Sequence, residues 1–182
     1  MAKYTQLPSD DSFVNSASSS TNYGTDTGLV IGGWGNFHMI GIKFDISSLP
    51  AKAKSAKIFI YRAGGGANQL TSTRWRRIES SWDEGTLTYG NKPTGMQNND
   101  GTLVSLPAAN SWFELDITTL YNQWKDGTYT NYGVAINGNA TYYNNAVTTF
   151  NSKEYTTDTS KRPYLEVEEV ELTDKGKFFQ LF

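Results

Sequence analysis

The residues that could do chemistry are unevenly supplied: eighteen carboxylates, one histidine and no cysteine. Without cysteine there is neither a thiolate nucleophile nor a sulfur-rich metal site nor a disulfide framework. The lone histidine, His38, opens a run of alternating apolar residues, which points to a structural ring more than to a general base. Two carboxylate pairs invite a glycosidase reading, Asp83 with Glu84 and Glu114 with Asp116. Such chemistry needs carboxyl groups about 5 to 10 Å apart across a sugar-sized cleft. Adjacent residues in a loop do not supply that geometry, and residues two apart on a strand share one solvent-facing side. The expectation is therefore a protein that is not an enzyme.

Binding chemistry is better provided for. A pyranose offers an apolar C–H face that packs on aromatic rings and hydroxyls that seek amides or carboxylates. Trp34 in GGWGN, with Tyr142, Tyr143 and Asn144 in NATYYNNA, are aromatic and amide residues in loops claimed by no strand pattern, and they form the expected glycan or partner contacts. No cofactor is expected. A structural calcium ion is compatible with the loop aspartates Asp10, Asp11, Asp26, Asp83 and Asp100, but no spacing of EF-hand type places it.

The elements that must hold these residues are strands. Tyr, Phe and Trp number 11, 9 and 5, and Thr, Ser, Asn and Gly fill the gaps between apolar runs, a composition of short strands and tight turns. Over residues 38 to 46, His38, Ile40, Ile42, Phe44 and Ile46 alternate with Met39, Gly41, Lys43 and Asp45, so one strand face is core. Further strands are predicted at GLVIGG, AKSAKIFIYRA, residues 70 to 78, Phe113 to Ile117, NYGVAIN, AVTTFNS and PYLEVEEV. In AKSAKIFIYRA both faces are partly apolar, which predicts a position near the middle of a sandwich. ESSWDEGTLTYGNKP reads as an irregular segment pinned by Trp82 and Tyr89. Ile117, Leu120, Tyr121 and Trp124 fall at helical spacing, predicting one short helix near 117–126 with Asp116 as its cap. The whole is an all-β, antiparallel two-sheet sandwich of jelly-roll type with about ten strands.

The formal net charge of −2 and the scattered basic residues exclude nucleic-acid binding, and Arg74, Arg76 and Arg77 would be divided between two strand faces. No apolar run is long enough for membrane insertion or for a secretion signal. Residues 1–170 are expected to form the domain. Residues 171–182 form a charged then apolar tail whose Phe178, Phe179, Leu181 and Phe182 suit docking on a partner.

From Trp82 onward the order of motifs resembles the DNRLRE domain family, which is grouped with carbohydrate-binding modules. The resemblance is carried by Trp82, Glu84, Thr86, Thr88 and Pro93, then by Asp116, Ile117, Thr118 and Trp124. It continues through Asn131 and Gly133 to Ser152, Glu154, Arg162 and Pro163, with Tyr89 standing where the family commonly has a second tryptophan. DSFVN, NYGTDTGLVIGG and IKFDISSLP match in outline, so the likeness runs to about residue 170. It implies a sandwich in which Trp82, Asp116, Trp124, Glu154, Arg162 and Pro163 are structural, with an expected Glu154–Arg162 ion pair. The leading functional expectation is a non-catalytic adhesion module on a virion surface, such as a bacteriophage head decoration, fibre or tail accessory protein, with other virion or surface proteins, a second copy or a glycan as partners. The alternative is a carbohydrate-binding module of a secreted polysaccharide-degrading or cell-surface protein. Either places it on a virion or extracellular surface.

Overall fold

The computed structural model describes residues 2–171 apart from 33–36, 65–69, 97–100 and 139–145. Within them lie eleven strands: β1 (Lys3–Gln6), β2 (Asp10–Asn15), β3 (Gly28–Gly32), β4 (His38–Lys43), β5 (Ala53–Arg62), β6 (Ser72–Arg77), β7 (Thr102–Ser105), β8 (Ser111–Asp116), β9 (Val134–Gly138), β10 (Val147–Asn151) and β11 (Tyr164–Glu169). One helix, α1 (Thr118–Lys125), follows β8. Every pairing is antiparallel. The architecture is the all-β sandwich predicted. β1, β2 and β7 are strands that the alternation does not place.

The ladder runs β1-β11-β5 on one side and β4-β9-β6-β7 on the other, with β8 added to β5 and β2 added to β4. The β10–β3 pair joins the two through single bridges, Phe150 to Arg62 and Gly32 to His38. The apolar sides of both layers meet in one core, to which β5 gives Ile58 and Ile60, β8 gives Phe113 and Leu115, β11 gives Leu165 and Val167, and β4 gives Ile40 and Ile42. Helix α1 closes the core with Leu120, Tyr121 and Trp124, three of the four positions the spacing predicts, and the fourth, Ile117, is buried just before its first residue.

Asp116 sits one residue further out than a helix cap. Its Oδ1 accepts from the Thr118 backbone N–H at 2.9 Å and from the Thr118 hydroxyl at 2.7 Å, while Ile117 occupies the cap position without a side-chain bond. Lys125 ends the helix by donating from Nζ to the carbonyls of Ile46 and Leu49, both at 2.9 Å, a cation at the carbonyl end where the helix dipole favours it.

A second, smaller core lies on the outer face of the β2-β4-β9-β6 layer. Val14, Met39 and Ala135 point there and meet Ile78, Leu87 and Met96, with Trp82, Tyr89 and Tyr132 packed against them. The cover is the irregular segment 79–96, pinned by Trp82 and Tyr89 as predicted. Met39, on the side of β4 that alternation assigns away from the core, is only 1% exposed for this reason. A Cβ on Gly41 would touch the Trp82 ring at 3.4 Å, so the smallest side chain lets the indole lie against the strand. Asn22 holds the cover from below, its Nδ2 donating to the carbonyls of Glu84 at 2.7 Å and Leu87 at 2.8 Å.

Candidate functional site

The two outer faces of the sandwich differ, since one is roofed by 79–96 and the other carries a patch of rings. On β5, Ile58 and Ile60 turn inward, so Phe59 and Tyr61 turn outward. Pairing sets Tyr164 of β11 beside Phe59, and Trp112 of β8 beside Tyr61. Phe59 and Tyr164 stack with centroids 4.8 Å apart and planes 12° from parallel. Trp112 meets Phe59, Tyr61 and Tyr164 edge to face, at 6.4, 5.3 and 5.3 Å. All four are half-buried, because each ring shields its neighbours. The second apolar face of β5, which predicts a central strand, is therefore an aromatic surface built of rings that pack on one another.

Charge borders the patch. Lys57 pairs with Glu114 at 2.5 Å, Lys3 with Glu166 at 2.8 Å, and the Lys161 ammonium stands 5.0 Å over the Tyr61 ring. Burial, then the nearby Glu166 and Glu114 carboxylates, hold the Tyr164 hydroxyl above the usual phenol range. Beside Tyr164 runs an open groove of about 360 Å³ between the end of β1 and the turn at Thr159–Lys161. Gln6, Leu7, Ser160, Arg162, Tyr164 and Glu166 are among its lining residues. Leu7 is 52% exposed, an apolar contribution to a lining that also offers amide, hydroxyl, guanidinium and carboxylate groups.

A second groove, about 560 Å³, lies between the end of β4, Ser81–Trp82 and Thr130–Tyr132. Its aromatic face is engaged: Lys43 Nζ stands 5.3 Å over the Trp82 ring, itself paired with Asp10 at 2.9 Å.

The structure brings a further set of charges together at the edge of the cover. Glu84 Oε1 accepts from the Asp11 backbone N–H at 2.9 Å, and Asp11 Oδ2 accepts from the Lys153 backbone N–H at 2.8 Å. The Lys153 ammonium pairs with Glu84 Oε2 at 2.7 Å and with Glu154 Oε1. One oxygen from each of Asp11, Glu84 and Glu154 lies within 4.8 Å of the others. Asp11 is 1% exposed. Burial chiefly, then Glu154 and Glu84, push its carboxyl up to about 8, against the Lys153 N–H that favours the charged form.

The residues singled out in the sequence are distributed as follows. Trp34, Tyr142, Tyr143 and Asn144 lie outside the described residues, as do Asp100 and the tail residues Phe178, Phe179, Leu181 and Phe182. Trp124 is buried in the main core and Trp82 packs against the second core from the cover. The expected Glu154–Arg162 pair does not form: Lys153 takes Glu154, and Arg162 donates from Nε to the Tyr155 carbonyl at 2.8 Å. The neighbouring lysine reaches the carboxylate first, and the turn at Thr159–Lys161 directs the guanidinium back onto the chain. Pro163 is buried just before β11. Among the described calcium-eligible aspartates only Asp11 enters the carboxylate cluster. Asp83 is exposed on the cover while Glu84 is committed to Asp11 and Lys153, so the first suspected glycosidase pair is divided. Glu114 and Asp116 are exposed, as the alternation predicts. His38 is half-buried with Nδ1 2.8 Å from the Gly32 carbonyl. Phe59, Tyr61, Trp112 and Tyr164 were not among the expected contacts. Their signal was the aromatic residues on the second face of β5 and one place before Phe113.

An open sheet face bearing four rings, beside a groove rich in hydrogen-bonding side chains, is suited to sugars. Carbohydrate-binding module family 96 matches residues 2–169. The chain belongs to that family. A search of the curated proteins found no match at a significant level. At this level the carbohydrate-binding character implied by the sequence motifs holds, and members of such families are in general non-catalytic.

Proposed function

We propose that this family 96 module is a non-catalytic glycan binder whose contact surface is the Tyr164 wall of the groove and the aromatic face behind it. The observation that carries the proposal is the placement of Tyr164. Phe59 covers one face of its ring from the β5 side, and the groove opens on the β1 side, where Gln6 and Leu7 stand. The part of the ring that lines the groove can take the C–H side of a pyranose. Gln6, Ser160, Arg162 and Glu166 surround the same space and offer donors and acceptors to hydroxyls or to a sugar carboxylate. The DNRLRE-type motifs are read as the fold signature of this sandwich, because Trp82, Asp116, Trp124 and Pro163 all serve packing or turns.

Affinity electrophoresis and calorimetry against a panel of neutral and acidic polysaccharides test the proposal. Binding to at least one of them is expected, with no release of reducing ends, and Tyr164→Ala is expected to abolish it. Binding that survives Tyr164→Ala but disappears in Trp34→Ala or Tyr143→Ala would move the site to the loops instead. The larger setting, a virion surface or a secreted or cell-surface protein, belongs to the same proposal in its finer form. In either setting the module works outside the cell. Deletion of residues 177–182 distinguishes the two, since loss of particle assembly without loss of glycan binding favours the virion.

A further inference from the structure

We infer that Asp11, Glu84 and Glu154 form a binding site for a hard divalent cation, calcium by preference, which fastens the 79–96 cover to the sandwich. Three elements far apart in sequence converge there: β2 through Asp11, the cover through Glu84 and the segment after β10 through Glu154. Two carboxylate oxygens, Asp11 Oδ1 and Glu154 Oε2, are fully buried with no hydrogen-bond partner. A buried acceptor left empty is costly, and native structures rarely keep one without a ligand or an ion. Asp11 as a whole is 1% exposed, so bulk water does not satisfy it.

Lys153 does not resolve the imbalance. Its ammonium is engaged by Glu84 Oε2 and Glu154 Oε1, and its backbone N–H by Asp11 Oδ2. One positive charge thus stands against three carboxylates, on oxygens other than the two left over. A cation bound to those two oxygens and sharing Glu84 would complete the set without displacing the lysine. The donors are all oxygen, which selects hard cations over zinc or copper. Magnesium demands a regular octahedron, whereas calcium tolerates the irregular coordination that three carboxylates from unrelated elements would offer.

The test uses the full chain, stripped with EDTA and dialysed, then titrated with calcium chloride by calorimetry and by thermal melting. One calcium per chain is expected, with a melting temperature raised by roughly 5–10 °C at a free calcium about one hundred times the dissociation constant. Magnesium at the same concentration should give a smaller rise, and an equal one overturns the preference for calcium. Asp11→Asn with Glu154→Gln is expected to remove the calcium response while circular dichroism stays that of the parent, and a response retained in that double variant overturns the site. Should the double variant not fold, the unsubstituted chain still decides. No calorimetric heat and identical melting in EDTA and in millimolar calcium overturn the inference, and would assign the leftover oxygens to a shared proton.

Discussion

The indole Nε1 of Trp82 donates to the backbone carbonyl of Tyr132 at 2.8 Å. One hydrogen bond thus ties the cover to the chain entering β9, while the ring lies on Gly41 of β4 and completes the second core. Trp82 is therefore a rivet for the roofed face. Trp82→Phe, which keeps most of the ring area but not the donor, is expected to cost about 1 kcal/mol, and Trp82→Ala about 2–4 kcal/mol. Urea denaturation followed by circular dichroism measures both. Equal losses in the two variants would show that the hydrogen bond, and not the packing, dominates.

On the opposite face the ring of Tyr164, not its hydroxyl, is expected to carry glycan affinity. Tyr164→Phe should therefore bind within about threefold of the parent, and Tyr164→Ala at least tenfold more weakly, the tenfold loss being about 1.4 kcal/mol. Calorimetry with the polysaccharide that binds best measures both.

Gly133 occupies the turn into β9 at φ +85°, and a Cβ there would come within 2.2 Å of the Ile42 carbonyl oxygen. Asn131 shapes the same turn by accepting from the Gly133 N–H at 3.0 Å and donating to the Phe44 carbonyl at 2.9 Å. Gly133→Ala combines an unfavourable backbone conformation with a collision against backbone, and should destabilise the fold by about 3 kcal/mol or more. A melting temperature close to the parent's would refute this.

Tyr121 lies on the buried side of α1 with its hydroxyl donating to the Pro50 carbonyl at 2.6 Å. Burial pushes the phenol from its ordinary 10 up to about 12. Between those values the folded chain holds a proton that the unfolded chain has released, so stability falls as pH rises. The loss over that window is about 2–3 kcal/mol, and below pH 10 the contribution is constant. Tyr121→Phe should flatten this slope while costing about 1 kcal/mol at neutral pH through the lost hydrogen bond. Urea midpoints measured from pH 9 to pH 12 check the sign.

Much of the fold can be read from alternation and turn residues, because both are local. The inward faces of β4, β5 and β11 and the buried side of α1 follow directly from period two and period 3.6. What alternation cannot say is what lies beyond a face. Met39 reads as outward, yet it is buried because a segment forty or more residues later folds over it. Phe59 and Tyr61 read only as a second apolar face of β5, yet with Trp112 and Tyr164 they form one aromatic patch. The cluster of Asp11, Glu84 and Glu154 was invisible for a similar reason, since its members lie about seventy residues apart and only the crossing of β2, the cover and the end of β10 brings them together. Glu154 was assigned to Arg162 because both stand in the same motif; the lysine next door holds it instead.

β1 lies antiparallel to β11, Lys3 facing Glu168 and Gln6 facing Leu165, and the Glu169 N–H donates to the Ala2 carbonyl at 3.1 Å. Polypeptide joined before residue 2 and after residue 169 would therefore leave the sandwich at a single point, as from a pendant on one hook. The groove opens at the other end of the same two strands, around Leu7 and Tyr164. A tether at one end would therefore leave the groove at the other end of these strands free of the attached chain.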